Sequence, residues 1–94
     1  MSKKKPQIEK ESEEDVLTEV QREHEIILYN DDVNTFDHVI DCLVAICDHT
    51  PIQAEQCALL THINGKCDIL RGEISELKPF QEDLELYGLN VQIL

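Results

Sequence analysis

The chain has 94 residues, enough for one modest core and too few for a large internal cleft, so a ligand is expected in a surface groove or shallow pocket. Its formal charge of −12, from 8 basic and 20 acidic side chains, argues against a nucleic-acid or anionic-membrane partner and favours a basic peptide or a cationic end group. No run of ~20 apolar residues is present, so no membrane-spanning helix is expected.

Residues 1–22 hold nearly all the low-complexity character: Lys3-Lys4-Lys5-Pro6, then Glu9-Lys10-Glu11-Ser12-Glu13-Glu14-Asp15. Val16, Leu17 and Val20 have helical spacing but too few apolar neighbours for a stable helix, so this stretch reads as a flexible N-terminal extension ahead of a domain over 23–94. The basic start is followed by acids rather than a hydrophobic segment, which is not a secretory leader, and a cytoplasmic chain is expected.

Glu25-Ile26-Ile27-Leu28-Tyr29 is short, apolar and β-branched, and predicts a strand. Asn34 reads as the N-cap of a helix over 35–47, whose apolar face is Phe36, Val39, Ile40, Leu43, Ile46 and Cys47. A second helix starts at Thr50, with Pro51 in the first helical position and Gln53 completing a capping box. It ends at Asn64-Gly65 and should bury Ala54, Cys57, Ala58 and Thr61. Residues 66–71 alternate roughly between polar and apolar and predict a half-exposed strand. Ser75 or Glu76 opens a third helix, with Pro79 held to its first turn because a proline further in breaks a helix. Gly88 closes that helix, and residues 89–94 alternate as a last strand. The order is βααβαβ, an α+β fold with a three-stranded antiparallel sheet and three helices on one face.

The chemistry concentrates in Tyr29-Asn30-Asp31-Asp32-Val33-Asn34-Thr35-Phe36. Adjacent carboxylates at a strand end repel one another and suit a meeting with a cation; the same residues also suit a solvated turn in which Asp and Asn bond their own backbone. Enzyme templates fit badly: there is no nucleophile elbow, no Gly-rich phosphate loop and no H-E-x-x-H, so no catalytic residue and no cofactor is assigned. Cys42, Cys47, Cys57 and Cys67 form no C-x-x-C pair and read as small buried hydrophobes rather than metal ligands. A protonated α-amine has three N–H donors, which a carboxylate, an amide oxygen and a neutral imidazole nitrogen can hold from three directions. The side chain that follows such an amine needs a small apolar pocket, for which the gap between the first two helices is suited.

Asn30-Asp31-Asp32-Val33-Asn34-Thr35-Phe36-Asp37-His38-Val39-Ile40, then Ala54-Glu55-Gln56, then Thr61-His62-Ile63-Asn64-Gly65-Lys66, resemble the ClpS family of adaptors for the Clp protease. The resemblance covers about residues 25–94, in order and with unbroken spacing. It implies a fold similar to the C-terminal domain of the ribosomal stalk protein, and a non-enzymatic adaptor. Such an adaptor captures N-degron substrates, whose first residue is Leu, Phe, Tyr or Trp, and delivers them to a Clp-type AAA+ unfoldase of the ClpA or ClpC class through its N-terminal domain. It also implies that Asn30, the Asp31-Asp32 pair and His62 hold the substrate's α-amine, with Asp32 favoured as the direct contact. Asn34 falls where many members have a Thr that bonds the substrate backbone. Phe36, Val39, Ala58, Thr61 and Leu89 fall on pocket positions. Phe36 and Ala58 each stand where the common pattern has Met, which shifts bulk from one wall to the other and leaves the order among Leu, Phe, Tyr and Trp open. The alternative is a module of the same fold that docks on an unfoldase without recognising chain ends.

Overall fold

The apolar run that follows Glu25 forms the middle of the molecule. The structure is a computed structural model that describes residues 23–94; the expected flexible extension over 1–22 lies outside the described residues. Strand β1 (His24–Tyr29) lies between β2 (Lys66–Gly72) and β3 (Val91–Ile93), antiparallel to both. Because strand side chains alternate, Ile26 and Leu28 share one face with their partners Ile93 and Val91, and join the helices in the core. Ile27 points the other way, among Asp68, Gln92 and the Arg71–Glu25 ion pair of 3.5 Å, and is buried there. In β2, Leu70 faces Ile26 and Asp68 faces Ile27, so Ile69 is the extra residue of a bulge and turns into the core.

Helix α1 (Phe36–Cys47) buries Cys42, Leu43 and Cys47, and α2 (Pro51–Asn64) buries Ala54, Ala58 and Thr61. The α2 start is the capping box expected from the sequence: Thr50 Oγ1 accepts from the Gln53 N–H at 3.1 Å, and Gln53 Oε1 accepts from the Thr50 N–H at 3.4 Å. Gly65, at φ 89°, closes α2 as expected. The turn between the two helices is tied to the sheet by His49, whose buried ring donates from Nε2 to the Ile69 carbonyl at 2.8 Å.

Two expectations about helix starts need correction, and Cys57 and Cys67, expected to be buried, are only half-buried. The N-cap of α1 is Thr35, whose Oγ1 accepts from the His38 N–H at 3.1 Å, because the Asn34 amide is drawn elsewhere. The third helix, α3 (Ile74–Leu86), begins before Ser75, with Glu73 at its N-cap position, so Pro79 sits inside it and not in its first turn. An interior proline costs about 3 kcal/mol. Burying Leu77 and Leu84 on the same helix contributes about 1.5–3 kcal/mol each, which is enough to carry the helix through it. Pro79 and Ser75, whose carbonyl loses its donor, are both exposed, so water can satisfy that carbonyl.

Cys42 and Cys47 lie in the core, and burial pushes the Cys47 thiol up to about 12 and the Cys42 thiol above its ordinary value. Among the described residues, no three His, Cys, Asp or Glu side chains are grouped so as to hold a metal ion, and no helix is long and apolar enough to cross a membrane.

Candidate functional site

The end of β1 is pinned on both sides. The Tyr29 N–H donates to the Asn90 carbonyl at 2.8 Å, and the Asn30 N–H donates to the Gly65 carbonyl at 2.9 Å. These bonds bring the close of α2, with His62 in its last turn, and the approach to β3, with Leu89, against the loop that leaves β1. Small residues on the inner side of α2 leave space between these elements, and the result is a cavity of about 260 Å³.

Its buried wall is formed by Leu28, Ala58, Thr61 and Leu89, with half-buried Val39. The Thr61 hydroxyl donates to the Cys57 carbonyl at 2.7 Å, so its proton is already committed within the helix. Phe36, 43 % exposed, also lines the space, and the polar side is formed by Asn30, Asp31, Asn34 and His62. Every site residue expected from the sequence except Asp32 therefore lines one cavity. Asp32 is exposed and is not among the residues that line the cavity. Leu28 and Tyr29 also line it and were not foreseen as site residues, because a strand's apolar run reads first as core.

The geometry of the loop explains why Asp31 faces inward. Asp31 Oδ1 accepts from the backbone N–H groups of Val33 at 2.9 Å and Asn34 at 2.8 Å, and Oδ2 accepts from Asn34 Nδ2 at 2.8 Å. This is the Asx-type turn that the sequence allowed, and it coexists with a place on the cavity wall. The backbone bond from Asn34 holds the Asp31 carboxyl below its ordinary value, opposed by partial desolvation and helped by the Asn34 amide and the Val33 N–H. A carboxylate oxygen has two lone-pair directions, and Oδ2 accepts one protein bond, so it retains one for a ligand.

Asn34 Nδ2 also donates to the Gly88 carbonyl at 2.9 Å. Both amide N–H groups are thus committed, to Asp31 and to the turn before β3, and only the side-chain oxygen of Asn34 remains for a ligand. The brace joins the loop carrying Asp31 to the segment carrying Leu89. Gly88 has φ 87°, where a Cβ is strained, although its space is ordinary: the nearest atom would be Asn34 Oδ1 at 3.8 Å. Gly88→Ala is therefore expected to cost about 1–2 kcal/mol of stability through the backbone alone, measurable by urea denaturation.

A model of a protein family described as the ATP-dependent Clp protease adaptor protein ClpS matches residues 19–92. A search of the curated proteins finds no match. Among solved structures, the chain is similar to ClpS2 of Agrobacterium tumefaciens bound to L-phenylalaninamide. The TM-score is 0.70 and the identity 18 %, over 77 % of this chain and 94 % of that one, a likeness that shows the fold. With the family model spanning all three helices, the cavity and the whole β1 strand, this chain belongs to the ClpS family of Clp protease adaptors.

Proposed function

We propose that the domain over 23–94 binds the free α-amine and the bulky apolar first residue (Leu, Phe, Tyr or Trp) of N-degron substrates. It then delivers them to a Clp AAA+ unfoldase of the ClpA or ClpC class in the cytoplasm, without catalysing a reaction itself and with residues 1–22 as an extension. The observation that carries this reading is the junction of Asn30, Asp31 and His62 with a hollow lined by Leu28, Val39, Ala58 and Leu89 in one cavity. Asp31 supplies the negative charge, while the Asn30 side-chain oxygen and an imidazole nitrogen of His62 accept the remaining ammonium protons. Asn34 offers its free oxygen to the next backbone N–H of the substrate.

Magnitudes support a two-part mechanism. Burying a Leu or Phe side chain contributes about 1.5–3 kcal/mol, too little for useful affinity by itself. Each charge-assisted bond to the amine adds about 1.5–3 kcal/mol before desolvation is subtracted. Recognition then needs both parts, and reads a bulky residue only at the start of a chain. An empty apolar hollow of about 150 Å³ takes up a benzene ring, so about 260 Å³ has room for an aromatic side chain. The phenylalaninamide on the Agrobacterium protein has the same two features, an α-amine and an aromatic side chain.

The test is a fluorescence-anisotropy titration with a Phe-started peptide and its N-acetylated twin. Acetylation removes the cation and is expected to abolish binding. Equal affinity for the two peptides would show that the polar rim does not read the amine, and would leave the family's docking role without end recognition.

A further inference from the structure

A second groove, of about 560 Å³, runs between α1 and the end of α3 and shares no lining residue with the amine cavity. Its apolar lining is Ala45, Ile46, Leu86 and Tyr87, and Asp41 and Asp83 stand beside it. Leu86 is 79 % exposed and Tyr87 57 %, so two large side chains at the close of one helix lie largely outside the core. No Lys or Arg lines the groove, and neither α1 nor α3 carries a basic residue in its last turn. The carbonyl end of α3 therefore adds its own negative potential to the two carboxylates.

We propose that this groove docks a basic amphipathic segment of a partner protein. The apolar lining takes side chains spaced three or four residues apart, and the aspartates with the helix end take the Lys or Arg residues between them. A second copy of the chain fits poorly, because a two-fold contact sets this patch against itself and brings Asp41 and Asp83 up to the same carboxylates on a molecule of charge −12.

The groove also adjoins the amine cavity through three consecutive residues. Tyr87 lines the groove and its carbonyl accepts from His38 Nε2 at 2.8 Å; the Gly88 carbonyl accepts the Asn34 brace; Leu89 lines the cavity. A docked segment thus lies beside the segment that forms part of the substrate pocket, without occupying the pocket.

The probe is an N-acetylated, C-amidated peptide of about fourteen Leu and Lys residues in amphipathic helical spacing, whose blocked amine keeps it from the amine site. It is added to the isotope-labelled full chain at physiological ionic strength and followed by backbone-amide NMR and by anisotropy. Shifts are expected at Asp41, Ala45, Ile46 and Leu86. Asp41→Lys with Asp83→Lys, and separately Leu86→Ser, should each lower affinity at least ~10-fold, while Glu23→Lys with Glu55→Lys should change it less than ~3-fold. Glu23 and Glu55 are exposed, and their pair makes the same change in net charge. Leu86 is so exposed that its variant is expected to fold, and the amide spectrum checks each variant. Equal weakening by the two charge pairs would reduce the effect to attraction by net charge and overturn the proposal. Shifts gathered on the outer side of α2, around Ile52 and Ile63, would overturn it, as would a chain that sediments as a dimer dispersed by Leu86→Ser.

Discussion

Asp31→Asn is expected to lower affinity for a Phe-started peptide about 100-fold, and Asp32→Asn less than about 3-fold, as read by fluorescence anisotropy. Both variants remove one negative charge, so the difference between them isolates position. Asp31 lines the cavity and its carboxylate is fixed by three hydrogen bonds, whereas Asp32 is exposed beyond the wall. An amide at position 31 can keep one oxygen acceptor but presents an N–H₂ group elsewhere. If that group replaces Oδ2, it meets the donor of Asn34 Nδ2 and the brace to Gly88 loses a partner. A ranking reversed, or two equal losses, would reject the assignment of the amine contact to Asp31. The same variant has a pH signature in stability. The Asp31 carboxyl is held low in the folded state, so the stability it contributes is present above the unfolded value near ~3.9 and is lost as pH falls through the lower folded value. The difference in melting temperature between the parent and Asp31→Asn should therefore persist into mild acid and narrow only below about pH 4.

What was legible in the sequence was what short-range chemistry decides. The capping box at Thr50, the glycine that closes α2 and the three-and-four spacing of α1 each involve residues within a turn of one another, and the order βααβαβ followed from them. Asn34 and Thr35 are both good caps, and the choice between them is made by a carbonyl 54 residues away, at Gly88, which draws the Asn34 amide off the helix start. Pro79 obeyed the wrong local rule because Leu77 and Leu84 bury on either side of it, and tertiary packing outweighs one broken helical bond. In β2, the neighbouring pair Ile69 and Leu70 already departed from alternation, and the bulge is the physical cause. At the site, the family likeness brought together residues from both helices and the last loop, which no spacing argument could join. Local pattern does not distinguish two adjacent aspartates, and the resemblance favoured Asp32; the Asx-type turn is what holds Asp31 on the cavity wall. The brace from Asn34 to Gly88 is the part that neither local pattern nor resemblance revealed, and it assigns the Asn34 amide to shaping the cavity.

Ala58→Phe is the complementary experiment, because it closes the apolar part of the site and leaves every polar group in place. Ala58 is 4 % exposed on the inner side of α2 and lines the cavity, so a ring built on its Cβ enters the space proposed for the substrate side chain. A ring fills a hollow on the order of 150 Å³, and the whole space is about 260 Å³. The remainder is too small for a second bulky side chain. Affinity for Leu-, Phe- and Trp-started peptides is expected to fall at least ~100-fold together, since the side-chain burial is lost and the amine can no longer reach Asp31 without a clash. Stability should move little, because the added ring occupies existing space; a cost of about 1–3 kcal/mol would indicate overpacking instead, and urea denaturation separates the two. Ile52→Phe, on the outer side of the same helix where Ile52 is 68 % exposed, serves as the control and should leave binding unchanged. Retained binding by a folded Ala58→Phe chain would place the substrate's first side chain elsewhere and reduce recognition to the amine alone. Loss of every bulky first residue at once, with Asp31 and His62 intact, would instead show that amine and side chain are read as one unit.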